Sequence, residues 1–214
     1  MWIPVDFSYK DLKIALEAKD WQKANEEIIC VFDHVWADQL HNYIKCSDLF
    51  IIDRLWTDYS DGHFGLSKQL QIWDKVNHNF PAFINRVGWR IDGQEIESFD
   101  QLNYSMTAPP GHLPLIFNHH GICQELIPGW WEALVKLIKD CQEIKEGNEG
   151  RKVCELQTLL KEKNCYGGSI DGHFNFRTKN AVRLFQGNQN LERTGIADLE
   201  TWKKLLGERL IRVD

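Results

Sequence analysis

The sequence predicts a mainly α fold in two modules, and three observations predict it. Apolar residues recur three and four positions apart over most of the chain, no stretch alternates apolar and polar residues long enough to make a firm strand, and the charge changes sign near residue 150. Residues 1–150 carry 13 basic against 23 acidic side chains, whereas residues 151–214 carry 12 against 8. With 214 residues and 43% hydrophobic content, each part is long enough to bury a core.

The elements follow in order. Ser8 ahead of Leu12, Ala15 and Leu16 predicts a capped amphipathic helix, and Asp20 caps a second one carrying Trp21, Ala24, Ile28 and Phe32. Residues 48–56 start with an N-cap type and are apolar nearly all round, as a central core helix would be. A turn cluster at Ser60 to Gly65 precedes Leu66, Leu70 and Trp73, whose spacing predicts a helix to about Val76. Residues 91–127 hold Gly93, Pro109, Pro110, Gly111, Pro114 and Gly121 without a sustained period, so they read as a long ordered loop. The stretch from Trp89 to Ile91 is where local strand pairing is expected. Pro128 opens a further helix with Trp131, Leu134, Val135 and Ile138, which runs into the charged stretch Glu143 to Glu149, and residues 146–150 make a linker. Asp-Gly-His-Phe occurs at 61–64 and 171–174 with unrelated flanks, a chance recurrence of a turn motif.

Composition excludes several function classes. The acidic first part is no nucleic-acid footprint, because duplex binding needs clustered Lys and Arg to displace condensed counterions. No apolar run approaches secretory or transmembrane length, so the cytoplasm is the expected location. Cysteines 30, 46, 123, 141, 154 and 165 are widely spaced without a CxxC pair, and they read as reduced, mostly buried thiols. There is no GxSxG, Walker loop, HExxH or GxGxxG, so no enzyme is expected. His112, His119, His120 and Cys123 lack the paired spacing of a zinc site, and no metal is expected.

The tail reads Val153, Leu156-Gln157, Leu160, Gly168, Ile170-Asp171-Gly172, Phe174, Thr178, Ala181-Val182, Phe185-Gln186, Leu191, Thr194-Gly195, Asp198, Thr201-Trp202 and Leu205. Asp171-Gly172 is a tight turn with positive φ, Asp198 a helix N-cap, and Trp202 an inward anchor. This spacing resembles the peptidoglycan-binding-like three-helix module across residues 151–207. Because these residues build turns and core, the resemblance implies a fold more than a ligand. A structural or docking role is expected here rather than peptidoglycan binding.

Five islands organise the first part. They are Asp20-Trp21 with Ala24; Asp48-Leu49 with Ile52-Asp53-Arg54-Leu55-Trp56; Ser60, Gly62, Phe64-Gly65, Ser67 and Gln69; Val87-Gly88-Trp89-Arg90; and Ala108 to Pro114. In register, they resemble the genomes-uncoupled-four family and imply a helical domain over residues 6–145. Members of that family bind protoporphyrin and magnesium protoporphyrin and stimulate magnesium chelatase without being enzymes. The resemblance therefore implies a tetrapyrrole ligand, the large subunit of the chelatase as partner, and a cyanobacterium-like source.

A porphyrin is a flat apolar disc with two carboxylates on one edge, so it demands greasy walls and one or two cations at a rim. Eight of the nine Trp lie within residues 1–131, and Arg90 follows Trp89 at the mouth of the long loop. The candidate ligand-binding residues are Phe64, Lys68, Gln69, Trp89, Arg90, Tyr104, Met106 and Leu113. Trp56 and Trp73, at helical spacing, read as core, and Asp53 and Arg54 as structural contacts. The chain departs from the family pattern at His63, Leu66, Lys68, Leu115 and Lys45. A linear bilin is therefore an alternative ligand, with Lys68 moving the carboxylate-binding charge to another edge, and a two-module interaction adaptor is the alternative function.

Overall fold

The computed structural model describes residues 9–32, 44–116 and 128–207. Packing divides them into two compact units, residues 9–32, 51–116 and 128–133 in the first and residues 44–50 with 134–207 in the second. The division falls within two helices, α3 (Cys46–Tyr59) and α6 (Pro128–Gln142). Among the described residues no helix is long and apolar enough to cross a membrane.

In the first unit, α1 (Lys10–Glu17) buries Leu12, Ala15 and Leu16, the face its spacing predicts. Its expected cap, Ser8, lies outside the described residues. α2 (Trp21–Phe32) is capped as expected, with the Asp20 carboxylate accepting from the Lys23 N–H at 3.0 Å. α3 begins two residues before the predicted start, because Asp48 accepts the Lys45 N–H at 3.2 Å from inside the first turn instead of occupying the cap position. α4 (Leu66–Lys75) matches its predicted span. α5 (Phe80–Val87) is a helix that the periodicity did not announce, being two turns long with a proline near its start. That proline is compatible with the first turn, where no N–H is needed, and Asn79 caps the helix by accepting from the Ala82 N–H at 2.9 Å.

The expected pairing beside Trp89 is present as a two-residue hairpin, β1 (Arg90–Ile91) against β2 (Gln94–Glu95). Beyond a short 3-10 turn at Phe99–Gln101, the chain to residue 116 is irregular yet ordered by side-chain hydrogen bonds. Aromatic rings fill this unit. Trp21, Trp56 and Phe64 form one cluster, and Phe83 stacks on Trp131 at 4.5 Å with Trp73 and Trp89 edge-on around them. Trp56 and Trp73 are core, as read, and each buried ring contributes on the order of 2–3 kcal/mol of transfer free energy. Asp53 accepts from the Ser67 N–H at 2.7 Å and Arg54 pairs with Asp58 at 2.8 Å, so both make structural contacts.

In the second unit, β3 (Glu143–Ile144) pairs antiparallel with β4 (Ala197–Asp198), and three helices follow the tail's reading: α7 (Arg151–Glu162), α8 (Phe176–Asn188) and α9 (Leu199–Leu206). Asp198 caps α9 by accepting from the Thr201 N–H at 2.8 Å, and Trp202 is fully buried against Phe50. Gly62 and Gly172, at equivalent places in the two Asp-Gly-His-Phe copies, share a left-handed φ of 74° and 73°.

One expectation fails here. Cys46 and Cys141 form a disulfide with Cα atoms 5.4 Å apart, so the six thiols are not all reduced. Their separation of 95 residues hides the pairing from any spacing argument. Cys154 and Cys165 are free. Glu155 sits beside the bond, its carboxylate accepting from the N–H groups of Cys46 and Ser47 at 2.9 and 3.0 Å, with burial pushing its pKa up.

Candidate functional site

The segment Ala108 to Pro114 has no regular structure of its own and is held by side chains from other elements. Gln69 of α4, buried, donates to the carbonyls of Gly111 at 3.0 Å and Pro114 at 2.7 Å. The Trp89 indole donates to the His112 carbonyl at 2.8 Å. Backbone bonds from Gly65 to the Leu113 carbonyl and from Gly111 to the His63 carbonyl complete the frame. Asn25 of α2 brackets Leu115, accepting its N–H at 2.7 Å.

His112 shows how tightly this frame is specified. Its Nδ1 lies 2.7 Å from the Val87 carbonyl, which can only accept, so Nδ1 carries the proton. Its Nε2 then accepts from the Asn103 N–H at 3.1 Å. The ring is neutral, and burial lowers its pKa below the ordinary 6.5. Protonation would set an N–H against an N–H.

Outside this frame lies a groove of about 790 Å³ between α4, α5 and Pro110. Ile72, Val76, Ala82 and Pro110 supply its apolar surface, and Lys68, Lys75 and Arg86 stand around it. These three cations make no ion pair among the described residues. Gly111 has φ 74°, and a Cβ there would stand 2.9 Å from the Ile72 Cδ1. The loop therefore approaches the groove floor more closely than any side chain would permit. Open apolar surface under unpaired cations can seat a flat apolar molecule that carries carboxylates.

The residues singled out from sequence divide into groups. Lys68 lines the groove. Phe64, Gln69, Trp89 and Leu113 are buried; Gln69 and Trp89 hold the loop through its carbonyls, and Leu113 belongs to the loop itself. Arg90 pairs with Glu95 across the hairpin at 2.9 Å. Tyr104 is half-buried and donates to the Phe99 carbonyl at 3.1 Å, its pKa raised to about 12 by burial with contributions from the Glu26 and Asp100 charges, and Met106 is exposed. Arg90, Tyr104 and Met106 do not line the groove. Sequence reasoning missed Lys75 and Arg86. Lys68, Ile72 and Lys75 stand at i, i+4 and i+7 on α4, a readable stripe, but Arg86 needed α5 to be recognised first. His119, His120 and Cys123 lie outside the described residues, and both ring nitrogens of His112 are engaged.

Comparison with known proteins agrees with this architecture. The family model described as GUN4-like matches residues 4–126, and the "Putative peptidoglycan binding domain" model matches residues 149–205. Over 126 residues the chain is 32% identical to "Uncharacterized protein ycf53" of Pyropia yezoensis, covering 54% of this chain and 53% of that protein. Over 81 residues it is 37% identical to "Tetrapyrrole-binding protein, chloroplastic" of Arabidopsis thaliana, covering 34% and 31%. The chain thus spans about half or less of the length of the curated relatives it matches. The solved structure of GUN4 from Chlamydomonas reinhardtii shares the fold at a TM-score of 0.51 and 22% identity, covering 64% of this chain and 94% of that one. Since the matching model covers more than half of its residues, the chain belongs to the GUN4-like family and carries a peptidoglycan-binding-type module after it.

Proposed function

We propose that this protein binds a porphyrin or magnesium porphyrin without transforming it, and that it regulates tetrapyrrole flow at magnesium chelatase. The observation that carries the ligand reading is the groove under Gly111, where an apolar floor meets three cations that make no ion pair among the described residues, on a unit that is otherwise acidic. Membership of the GUN4-like family and a relative whose name says that it binds tetrapyrroles support it. On this reading Lys68, Lys75 and Arg86 hold the propionates as charge-assisted pairs, and Ile72, Val76 and Pro110 pack on one face of the ring. Phe64, Gln69, Trp89 and Leu113 position the loop. Arg90, Tyr104 and Met106, which do not line the groove, are assigned on this reading to the alternative bilin ligand.

Titration of the full chain with protoporphyrin IX, magnesium protoporphyrin IX and biliverdin, followed by tryptophan quenching and the Soret band, tests this. Lys68→Ala with Arg86→Ala is expected to weaken porphyrin binding at least tenfold, while Arg90→Ala affects chiefly a bilin. Saturable binding that ignores the double substitution would remove the groove as the site, and no binding to any of the three would remove the ligand. Purified chelatase assayed at low magnesium with and without the protein tests the regulatory half separately, and an unchanged rate would refute it.

A further inference from the structure

Helix α8 of the second unit has a charge pattern that tetrapyrrole binding does not use. Its sequence, Phe-Arg-Thr-Lys-Asn-Ala-Val-Arg-Leu-Phe-Gln-Gly-Asn, contains no acidic residue. Thr178, Ala181, Val182, Phe185 and Gln186 face inward. At 3.6 residues per turn, Arg183, Phe176, Asn180, Leu184 and Arg177 among the others fall within an arc of about 120°. Phe176 and Leu184 are 64% and 49% exposed and stand eight positions apart in one row, with Asn180 between them. A single exposed apolar residue is ordinary, but two in one row between arginines form a patch.

The arginines are placed without carboxylates. Arg177, Arg183 and Arg193 make no ion pair among the described residues. Glycines seat two of them instead. The Arg193 guanidinium lies where a Cβ on Gly187 would stand, and the Arg183 Nε is 3.1 Å from the Cβ position of Gly195. Beside the patch, a groove of about 390 Å³ opens between α8 and the turn that carries Tyr166, Gly167 and Gly168, with Leu184 and Arg177 on its edge.

We propose that this face of α8 docks an acidic peptide segment of another protein. Carboxylates of that segment pair with Arg177, Arg183 and Arg193, and one of its apolar side chains enters the groove beside Leu184. Charge complementarity selects the occupant: planar guanidiniums donate to carboxylates in two-pronged pairs, and an apolar anchor ringed by charge is how short peptides gain affinity. A duplex nucleic acid would answer the cations by counterion release but leave Phe176 and Leu184 unused.

The test pans a random twelve-residue peptide display library on the immobilised full chain and on the Arg177→Glu/Arg183→Glu chain. Both substitutions are exposed, and a glutamate in the first turn suits the helix dipole. The expected enriched peptides carry several carboxylates and one aliphatic or aromatic residue. Fluorescein-labelled copies should bind in anisotropy at least tenfold more weakly to the charge-reversed chain and at least threefold more weakly to Leu184→Ser. Non-acidic enriched peptides, equal binding to both chains or no enrichment would overturn the proposal. So would retention on phosphatidylglycerol vesicles, single-stranded DNA or peptidoglycan sacculi that exceeds peptide binding tenfold.

Discussion

Three buried glutamines do the same work in the two units at very different sequence distances. In the second unit, the Gln157 Oε1 accepts from the N–H groups of Asp171 and Gly172 at 3.1 and 3.0 Å, while its amide donates to the Asp171 carboxylate at 2.8 Å. Gln186 repeats the device, accepting from the Gly195 N–H at 2.9 Å and donating to the Ile196 carbonyl at 2.9 Å. Each closes the turn that follows its own helix. In the first unit, Gln69 clasps Gly111 and Pro114, 42 and 45 residues away. The same side chain thus makes a local module in one case and pins a long loop over a groove in the other. The second unit adds a covalent long-range closure, through Cys46 and Cys141, beside the hydrogen bonds that Glu155 accepts from the N–H groups of Cys46 and Ser47.

Breaking that covalent closure should have the largest effect. Removing a cross-link that closes a loop of 95 residues is expected to cost about 4 kcal/mol, since the unfolded chain regains the entropy the loop denied it. Denaturant unfolding of Cys46→Ser/Cys141→Ser against the parent chain measures this, and matching midpoints would show that packing alone closes the unit. Next comes Gln157→Leu, which leaves the buried Gly172 N–H, the part-buried Asp171 N–H and several acceptors without their partner and should cost about 3 kcal/mol. Hydrogen exchange should localise the loss to residues near the Asp171 turn.

Gln69→Leu should cost about 2 kcal/mol, because the Gly111 and Pro114 carbonyls retain access to fewer donors. Its distinguishing effect is on binding: by freeing the loop it should weaken porphyrin affinity along with stability, whereas Gln157→Leu should leave affinity unchanged. Equal losses of affinity in both variants would erase the contrast between the units. The smallest effect is that of pH on His112. Its folded pKa is depressed, so the folded state binds fewer protons than the unfolded chain near the ordinary imidazole value of 6.5. The stability it contributes is present above that value and is lost as pH falls through it toward the folded pKa. Unfolding midpoints should drop from pH 7.5 to pH 5, and His112→Gln, though less stable at pH 7.5, should lose this part of the slope.

The comparison also explains what could be read in advance. The tail's helices, turns and cap were legible because Gln157, Gly172, Gln186, Gly195 and Asp198 act on neighbours within a few turns, so spacing carries their meaning. The first unit's helices were legible wherever an apolar stripe ran three turns. α5 escaped because Phe80-Pro81 reads as a break until the Asn79 cap is seen to precede it. Of the groove's cations, Lys68 was read and Lys75 and Arg86 were not, since they converge only when α4 packs beside α5. Arg90 was read as a candidate anion-binding group, and which carboxylate it pairs with, Glu95, is fixed only through the hairpin.

The amino-acid sequence by itself determined the mainly helical class, the family, the local turns of the second module and the aromatic character of the first unit's core, all of which rest on periodicity or on contacts between near neighbours. Only the tertiary structure decided that Cys46 meets Cys141, that Gln69 and His112 lock the loop, and that three lysine and arginine side chains surround one apolar groove. Each of those joins residues from separate elements, and nothing in their spacing along the chain encodes which of the many possible partners packing will bring within hydrogen-bonding reach.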